Sequence, residues 1–221
     1  MNDISATGAR PETAFLTWDD EHGVGFLPVT AFVYDDAYFA KYRGYQETAL
    51  GVALEGARCN LVERFKVREV LDVGVGALSF LRTLIGRRVV STFGGFDVNP
   101  AAVAKLRASG LWADPRDEVF EALTFWDSLE HIDDPRPYLA GARSFVFVST
   151  PIYRDRGHVL ASKHFRPDEH CWYFTAAGLR WFMRELGFEC LEESRIESDL
   201  GREDIGTFVF KRIRNGGNCE A

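Results

Sequence analysis

Val70-Leu71-Asp72-Val73-Gly74-Val75-Gly76 is a short apolar strand that reaches an acid and runs into a two-glycine turn. A turn leaving a buried strand must bend sharply and admit a ligand against its main chain, which favours residues without a Cβ at positions 74 and 76. A second apolar run, Phe93-Gly94-Gly95-Phe96, closes on Asp97. An acid about 20 residues beyond the glycines stands at the next strand's end, where a carboxylate can accept both ribose hydroxyl hydrogen bonds. The two signals together predict a nucleoside site rather than an ordinary strand and turn.

Asp72 narrows the choice of nucleoside. A dinucleotide places its pyrophosphate over this turn, and a carboxylate two positions before the first glycine repels that charge. The dinucleotide pattern also lacks its third glycine, because position 79 is Ser. S-adenosylmethionine instead brings an ammonium group that the carboxylate attracts, directly or through a water. On these residues the chain resembles the class I S-adenosylmethionine-dependent methyltransferases. A dehydrogenase binding NAD at the same turn is the alternative, as is a methyltransferase-like module that binds the cofactor without turnover.

Two further stretches carry the resemblance. Phe125-Trp126-Asp127-Ser128-Leu129-Glu130-His131-Ile132 is similar to the strand-to-helix junction of the small-molecule and ubiquinone-biosynthesis-type methyltransferases, and Ser149-Thr150-Pro151-Ile152-Tyr153 is similar to the same group. The resemblance spans roughly residues 66–212. It implies a Rossmann-like, doubly wound α/β fold with a mainly parallel seven-stranded sheet and an antiparallel last strand. The family's third glycine is replaced by Leu78, which bears on how closely the turn approaches the methionine moiety.

The pattern of apolar residues agrees with that order. Strands are expected at residues 67–73, up to Asp97, briefly through Leu111 and Trp112, at 122–126, 144–149, 189–193 and 206–212. Helices are expected at 47–65, after the glycine turn through Leu78, Leu81, Leu84 and Ile85, from the Asn99-Pro100 cap to Leu106, and at 176–186. Residues 15–45 are dense in aromatics, among them Phe15, Trp18, Phe26, Phe32, Tyr34, Tyr38, Phe39, Tyr42 and Tyr45. Such a segment serves either as a lid over the sheet's open end or as an extension of the core. The expected division is an aromatic-rich cap and helix at 1–65, the cofactor-binding domain at 66–212, and a flexible tail at 213–221.

The cofactor set expected is Asp72, Gly74, Gly76, Asp97, Val98, Trp112, Asp114, Trp126 and Asp127. The resemblance implies adenine contacts near Trp112, which would stack, and Asp114, which would accept from the exocyclic amine; a core tryptophan and a turn aspartate explain the same residues. Asp127 either touches the cofactor or caps the following helix. His131 is the candidate catalytic base, since an imidazole titrates near neutrality and its motif follows a carboxyl strand end. Arg166, His170 and Tyr173 are candidate substrate contacts at the pocket mouth. His158, His164 and His170, with Cys171 adjacent, stand six residues apart, which matches neither a helical zinc pair nor a finger, so no metal is expected.

The chain has 221 residues, 46% of them apolar, enough for one core with a small appendage. Its four cysteines, Cys59, Cys171, Cys190 and Cys219, are scattered with no CxxC pair, which argues against a disulfide framework. No apolar stretch is long enough to span a bilayer and the first 14 residues lack the blocks of a signal peptide, so a cytoplasmic protein is expected. A formal net charge of -7 works against nonspecific attraction to nucleic acid. Arg154, Arg156, Lys163 and Arg166 form either a local basic cluster or a solvated loop. After the fourth strand there is no Pro-Pro-aromatic motif of amino-methylating nucleic-acid enzymes, and the Pro-Cys nucleophile of cytosine-C5 methylation is absent too. The first expectation is a small-molecule acceptor; a nucleic acid or a protein is second, and the oligomeric state is open.

Overall fold

The computed structural model describes residues 15–29, 44 and 47–213. Strands are β1 (Thr17–Asp19), β2 (Val24–Phe26), β3 (Glu69–Val73), β4 (Thr92–Phe96), β5 (Phe120–Trp126), β6 (Ala142–Tyr153), β7 (Trp172–Thr175), β8 (Phe188–Ser194) and β9 (Ile205–Arg212). Helices are α1 (Ala49–Arg64), α2 (Ser79–Arg87), α3 (Pro100–Ala108), α4 (Arg136–Leu139), α5 (Arg156–Ala161), α6 (Ala176–Glu185) and α7 (Ile196–Asp199), with one 3₁₀ turn at Leu129–His131.

Among the described residues the nine strands form one sheet. Its centre runs β4-β3-β5-β6 with every pair parallel. The closing strand β9 lies antiparallel to both β6 and β8. This is the expected doubly wound sheet with an antiparallel last strand. Ala122 and Trp126 of β5, Phe147 of β6 and Val209 of β9 face one apolar cluster with Cys59 and Val62 of α1. Leu123, Phe125, Val146, Val148, Phe208 and Phe210 face the other, with Leu179 and Met183 of α6. The alternation follows from the period of two along a strand, and because both faces are covered these strands read as continuous apolar runs. Each fully buried side chain of this size contributes about 1.5–3 kcal/mol.

Two differences from the expected sheet have local causes. The third strand shrinks to a bridge between Gly95 and Trp112, made by Gly95 N–H to Leu111 O and Ala113 N–H to Gly95 O. Pro115 follows closely and has no amide to extend the ladder. On the other side, β6 is longer than expected. Its residues 145–151 pair with β9, while Ile152 and Tyr153 pair with β7, to which β2 and β1 add antiparallel.

That extension accounts for the described part of the aromatic-rich segment. Phe26 lies 4.6 Å from Trp172, and Trp18 packs against the cluster of Leu27, Tyr153, Val159 and Tyr173, so both enlarge the core. Phe15 is exposed. Phe32, Tyr34, Tyr38, Phe39, Tyr42, Tyr45 and the tail from 214 on lie outside the described residues.

Helix ends sit where short polar side chains close them. Thr48 accepts from Gly51 N–H at 3.0 Å and Asn99 accepts from Ala102 N–H at 2.9 Å, with Pro100 opening the helix as its fixed φ favours. Leu78 stands just before α2 with φ 65° and is buried. The turn therefore keeps the left-handed backbone that suits glycine, at a cost of about 1–2 kcal/mol for a leucine, offset by packing against Leu81, Ala102 and Leu106.

Candidate functional site

The carboxyl ends of β3, β4, β5 and β6 open onto a cavity of about 720 Å³, within the range of small-molecule sites. Asp72, Gly74, Gly76, Asp97, Val98, Trp126 and Asp127 all line it, as do His131, Arg166 and His170. Trp112, Asp114 and Tyr173 do not. The Trp112 indole lies under Arg107 at 4.4 Å, and Asp114 is closed in a two-pronged pair with Arg116. Tyr173 is fully buried between Tyr153 and Phe165. For these three the core and turn explanations suffice. Val98, Phe96 and Tyr138 stand on the wall near Asp97 instead.

The glycine turn is tight for a stated reason. Gly74 has φ 85°, and a Cβ there would lie 2.5 Å from Ser128 Cβ, so the position cannot carry a side chain without moving the 128 backbone. Ser128 itself is tied by its hydroxyl to Val73 O at 2.5 Å. Gly76 N–H donates to Asp97 Oδ2 at 2.8 Å and Asn99 N–H to Asp97 Oδ1 at 2.8 Å. Burial pushes the Asp97 carboxyl above its usual range, opposed by those amides. A carboxylate has about four acceptor sites, so these bonds leave Asp97 capacity for a ligand.

Asp72 lies on the same strand face as Val70 and receives one hydrogen bond, from Thr124 Oγ1 at 2.7 Å. Among the described residues no cation reaches it at ion-pair distance. Burial pushes its pKa up to about 7, with the Thr124 bond acting in the opposite direction. A buried carboxylate in this state lacks a cationic partner, and the α-ammonium of S-adenosylmethionine would supply one.

The opposite wall is built from an ionic network that sequence reading did not foresee. Arg58 of α1 donates Nε to Glu197 Oε1 at 2.8 Å and Nη2 to Asp127 Oδ2 at 3.0 Å and Ser149 Oγ at 3.2 Å. Arg202 donates Nη2 to Asp127 Oδ1 at 2.8 Å and also reaches Glu197. Although burial pushes it up, Arg202 and Arg58 hold the Asp127 carboxyl well below its usual range. Asp127 has φ 55° and lines the cavity with its carboxylate paired to the two arginines, not to an N–H of the following turn. A signal for Arg58 existed, since 54, 58, 61 and 62 form the helical stripe of Leu54, Arg58, Leu61 and Val62, in which a charge is out of place. Arg202 lies in a turn and had none.

His131 Nδ1 lies 3.0 Å from Glu169 O. A carbonyl only accepts, so in that bond Nδ1 carries the proton and Nε2 is the basic nitrogen of the neutral ring. Burial lowers the His131 pKa and, with His131 beside it, lowers that of His170 further, so both rings are neutral at pH 7. Glu130, a functional candidate whose only signal in the sequence is its place beside His131, is buried and lines the cavity. Burial and the nearby Asp127 push its pKa up to about 8.

The fold is shared with solved methyltransferases. Magnesium protoporphyrin IX methyltransferase of Synechocystis PCC 6803, solved with bound SAH, superposes with a TM-score of 0.55 at 13% identity over 80% of this chain and 95% of that one. The 1,6-didemethyltoxoflavin-N1-methyltransferase of Burkholderia thailandensis, solved with its substrate and S-adenosylhomocysteine, gives 0.54 at 14% identity over 90% and 99%. A SAM-dependent methyltransferase of Archaeoglobus fulgidus gives 0.53 at 16% over 80% and 100%. No curated protein matches the chain. The family model of the methyltransferase domain matches residues 43–193, well over half the chain. The chain therefore belongs to the methyltransferase domain family and carries the class I fold of its S-adenosylmethionine-dependent members.

Proposed function

We propose that this chain transfers the methyl group of S-adenosylmethionine to a small-molecule acceptor held in the same cavity. The observation that carries the reading is the pairing of Asp72, a buried carboxylate without a cation, with Asp97, an amide-anchored carboxylate across the glycine turn. Asp72 holds the cofactor's ammonium, Asp97 its ribose hydroxyls, and Gly74 and Gly76 let it lie against the main chain. Val98 and Trp126 add apolar wall on either side. Bound there, S-adenosylmethionine supplies an electrophilic methyl carbon, so alignment of the acceptor does most of the remaining work.

The acceptor end is formed by Glu130, His131, Arg166 and His170. A cavity bounded by α1, which contributes Leu54, Glu55 and Arg58, suits a small acceptor better than a polymer, as does the net charge of -7. On this reading residues 66–212 form the cofactor-binding domain, and the cap at 1–65 adds a wall through α1. His131, which lines the acceptor end of the cavity, takes the acceptor's proton where the acceptor has one to lose. No helix of the described residues is long and apolar enough to cross a membrane. We place the protein in the cytoplasm, where its methyl donor is made.

Calorimetry with S-adenosylhomocysteine and, in parallel, NAD tests the donor: the first binds and the second does not. Labelled-methyl transfer into extract separated into small molecules, protein and nucleic acid tests the acceptor. Label confined to the protein or nucleic-acid fraction would overturn the small-molecule reading. His131→Ala should lower turnover while leaving S-adenosylhomocysteine affinity unchanged.

A further inference from the structure

We propose that Glu130, His131 and His170 bind a divalent transition-metal ion at the acceptor end of the cavity, placed to ligate a hydroxyl oxygen of the acceptor. One donor atom from each residue lies within 4.8 Å of the others, and all three residues line the cavity. Ligand atoms around a tetrahedral ion stand about 3.4 Å apart, so the three need to draw together by at most about 1.4 Å on binding. His158, His164, His170 and Cys171 have no metal-binding spacing along the chain. The fold assembles a different set from two segments far apart in the chain.

Three features distinguish this cluster from incidental neighbours. Glu130 Oε2 and His170 Nδ1 are buried with no hydrogen-bond partner, a costly state that a cation resolves at both atoms. His131 is held by its Nδ1 bond to the Glu169 carbonyl, the backbone anchoring that commonly orients a metal-binding histidine. The rings of His131 and His170 stand 4.6 Å apart at 89° to each other.

The backbone fixes the arrangement in advance. Cys171 N–H donates to Glu130 O at 2.7 Å, locking the segment before β7 onto the 3₁₀ turn. Glu169 and His170 N–H both donate to Arg166 O, at 3.0 and 2.8 Å, so the loop bearing His170 is a closed turn. Two imidazoles and one carboxylate favour zinc or a similar first-row ion over magnesium, which seeks oxygen alone. Three protein ligands leave a coordination position toward the cavity, and an ion there both orients a hydroxyl and lowers its pKa, so that with the ion bound His131 acts as its ligand and the hydroxyl's proton passes to water instead. The choice of a hydroxyl acceptor rests on the methyltransferase reading; the ion site itself does not.

The test uses the full chain stripped with chelator and titrated with Co²⁺, followed by visible absorption, with Zn²⁺ competing in calorimetry. The expected result is one ion per chain, weakened about tenfold or more by Glu130→Gln and by His170→Ala. Calorimetry with S-adenosylhomocysteine on the same variants reports an intact fold. Wild-type protein that takes up no stoichiometric ion, or variants that keep wild-type affinity, would overturn the proposal. Binding of S-adenosylhomocysteine without Co²⁺ refutes the ion site alone, whereas Co²⁺ binding without S-adenosylhomocysteine refutes the donor site alone.

Discussion

Gly76 N–H donates to Asp97 Oδ2 at 2.8 Å, joining the turn after β3 to the end of β4. The acid expected to hold the ribose thus also sets the shape of the glycine turn, and the two halves of the donor site form one unit.

Asp97→Ala removes both the ribose acceptor and the partner of Gly76 and Asn99 N–H. The variant should bind S-adenosylhomocysteine more weakly by roughly 1 to 3 kcal/mol in calorimetry. Unaltered affinity would take Asp97 out of the site.

Gly74→Ala puts a Cβ 2.5 Å from Ser128 Cβ on a backbone with φ 85°. Binding of S-adenosylhomocysteine should fall at least about tenfold, an effect of roughly 1.4 kcal/mol. Ser128→Gly in the same chain removes the clashing atom and should restore part of the loss; no restoration would show that the backbone angle alone matters.

Asp72 links cofactor binding to pH. Its pKa is about 7 in the folded protein against 3.8 as the ordinary value. Between those values the native state holds a proton that the unfolded chain has lost, so this group's contribution to stability falls as pH rises, and levels off above about 7. Asp72→Asn removes the buried charge. The ligand-free variant should therefore melt about 5 °C above the parent at pH 8 and close to it at pH 4. The same variant should lose S-adenosylhomocysteine affinity, because the ammonium has no counter-charge. A melting difference independent of pH would refute this account of Asp72.

Arg58 lies between Glu197 and Asp127, with its guanidinium 5.0 Å from the Trp126 ring centre. Arg58→Ala leaves Asp127 and the buried Glu197 sharing Arg202 alone, and urea unfolding should register a loss of about 3 kcal/mol. In a Glu197→Gln background the same change should cost less, by about 0.5–3 kcal/mol. Additive effects would mean that the pair does not couple.

Much of the frame was legible because it rests on local rules. Gly74 and Gly76 followed from the need for a backbone free of Cβ. Asn99 was found through its cap, and the strands of the core through their apolar runs. The strand at Leu111 and Trp112 was overestimated because a short apolar pair does not reveal that Pro115 ends the ladder. Trp112 and Asp114 stand outside the cavity lining, against Arg107 and Arg116, contacts that no local pattern around them announces.

By itself the sequence determined the parallel sheet, the glycine turn and the two acids at its strand ends, since each depends on residues within a few positions of one another. Only the tertiary structure decided what faces those acids. Arg58, Asp127, Glu197 and Arg202 meet across 69 to 139 residues of chain, and Glu130 and His131 meet His170 from another segment. Charge pairing and ligand clusters depend on distance in space, which no spacing along a chain encodes.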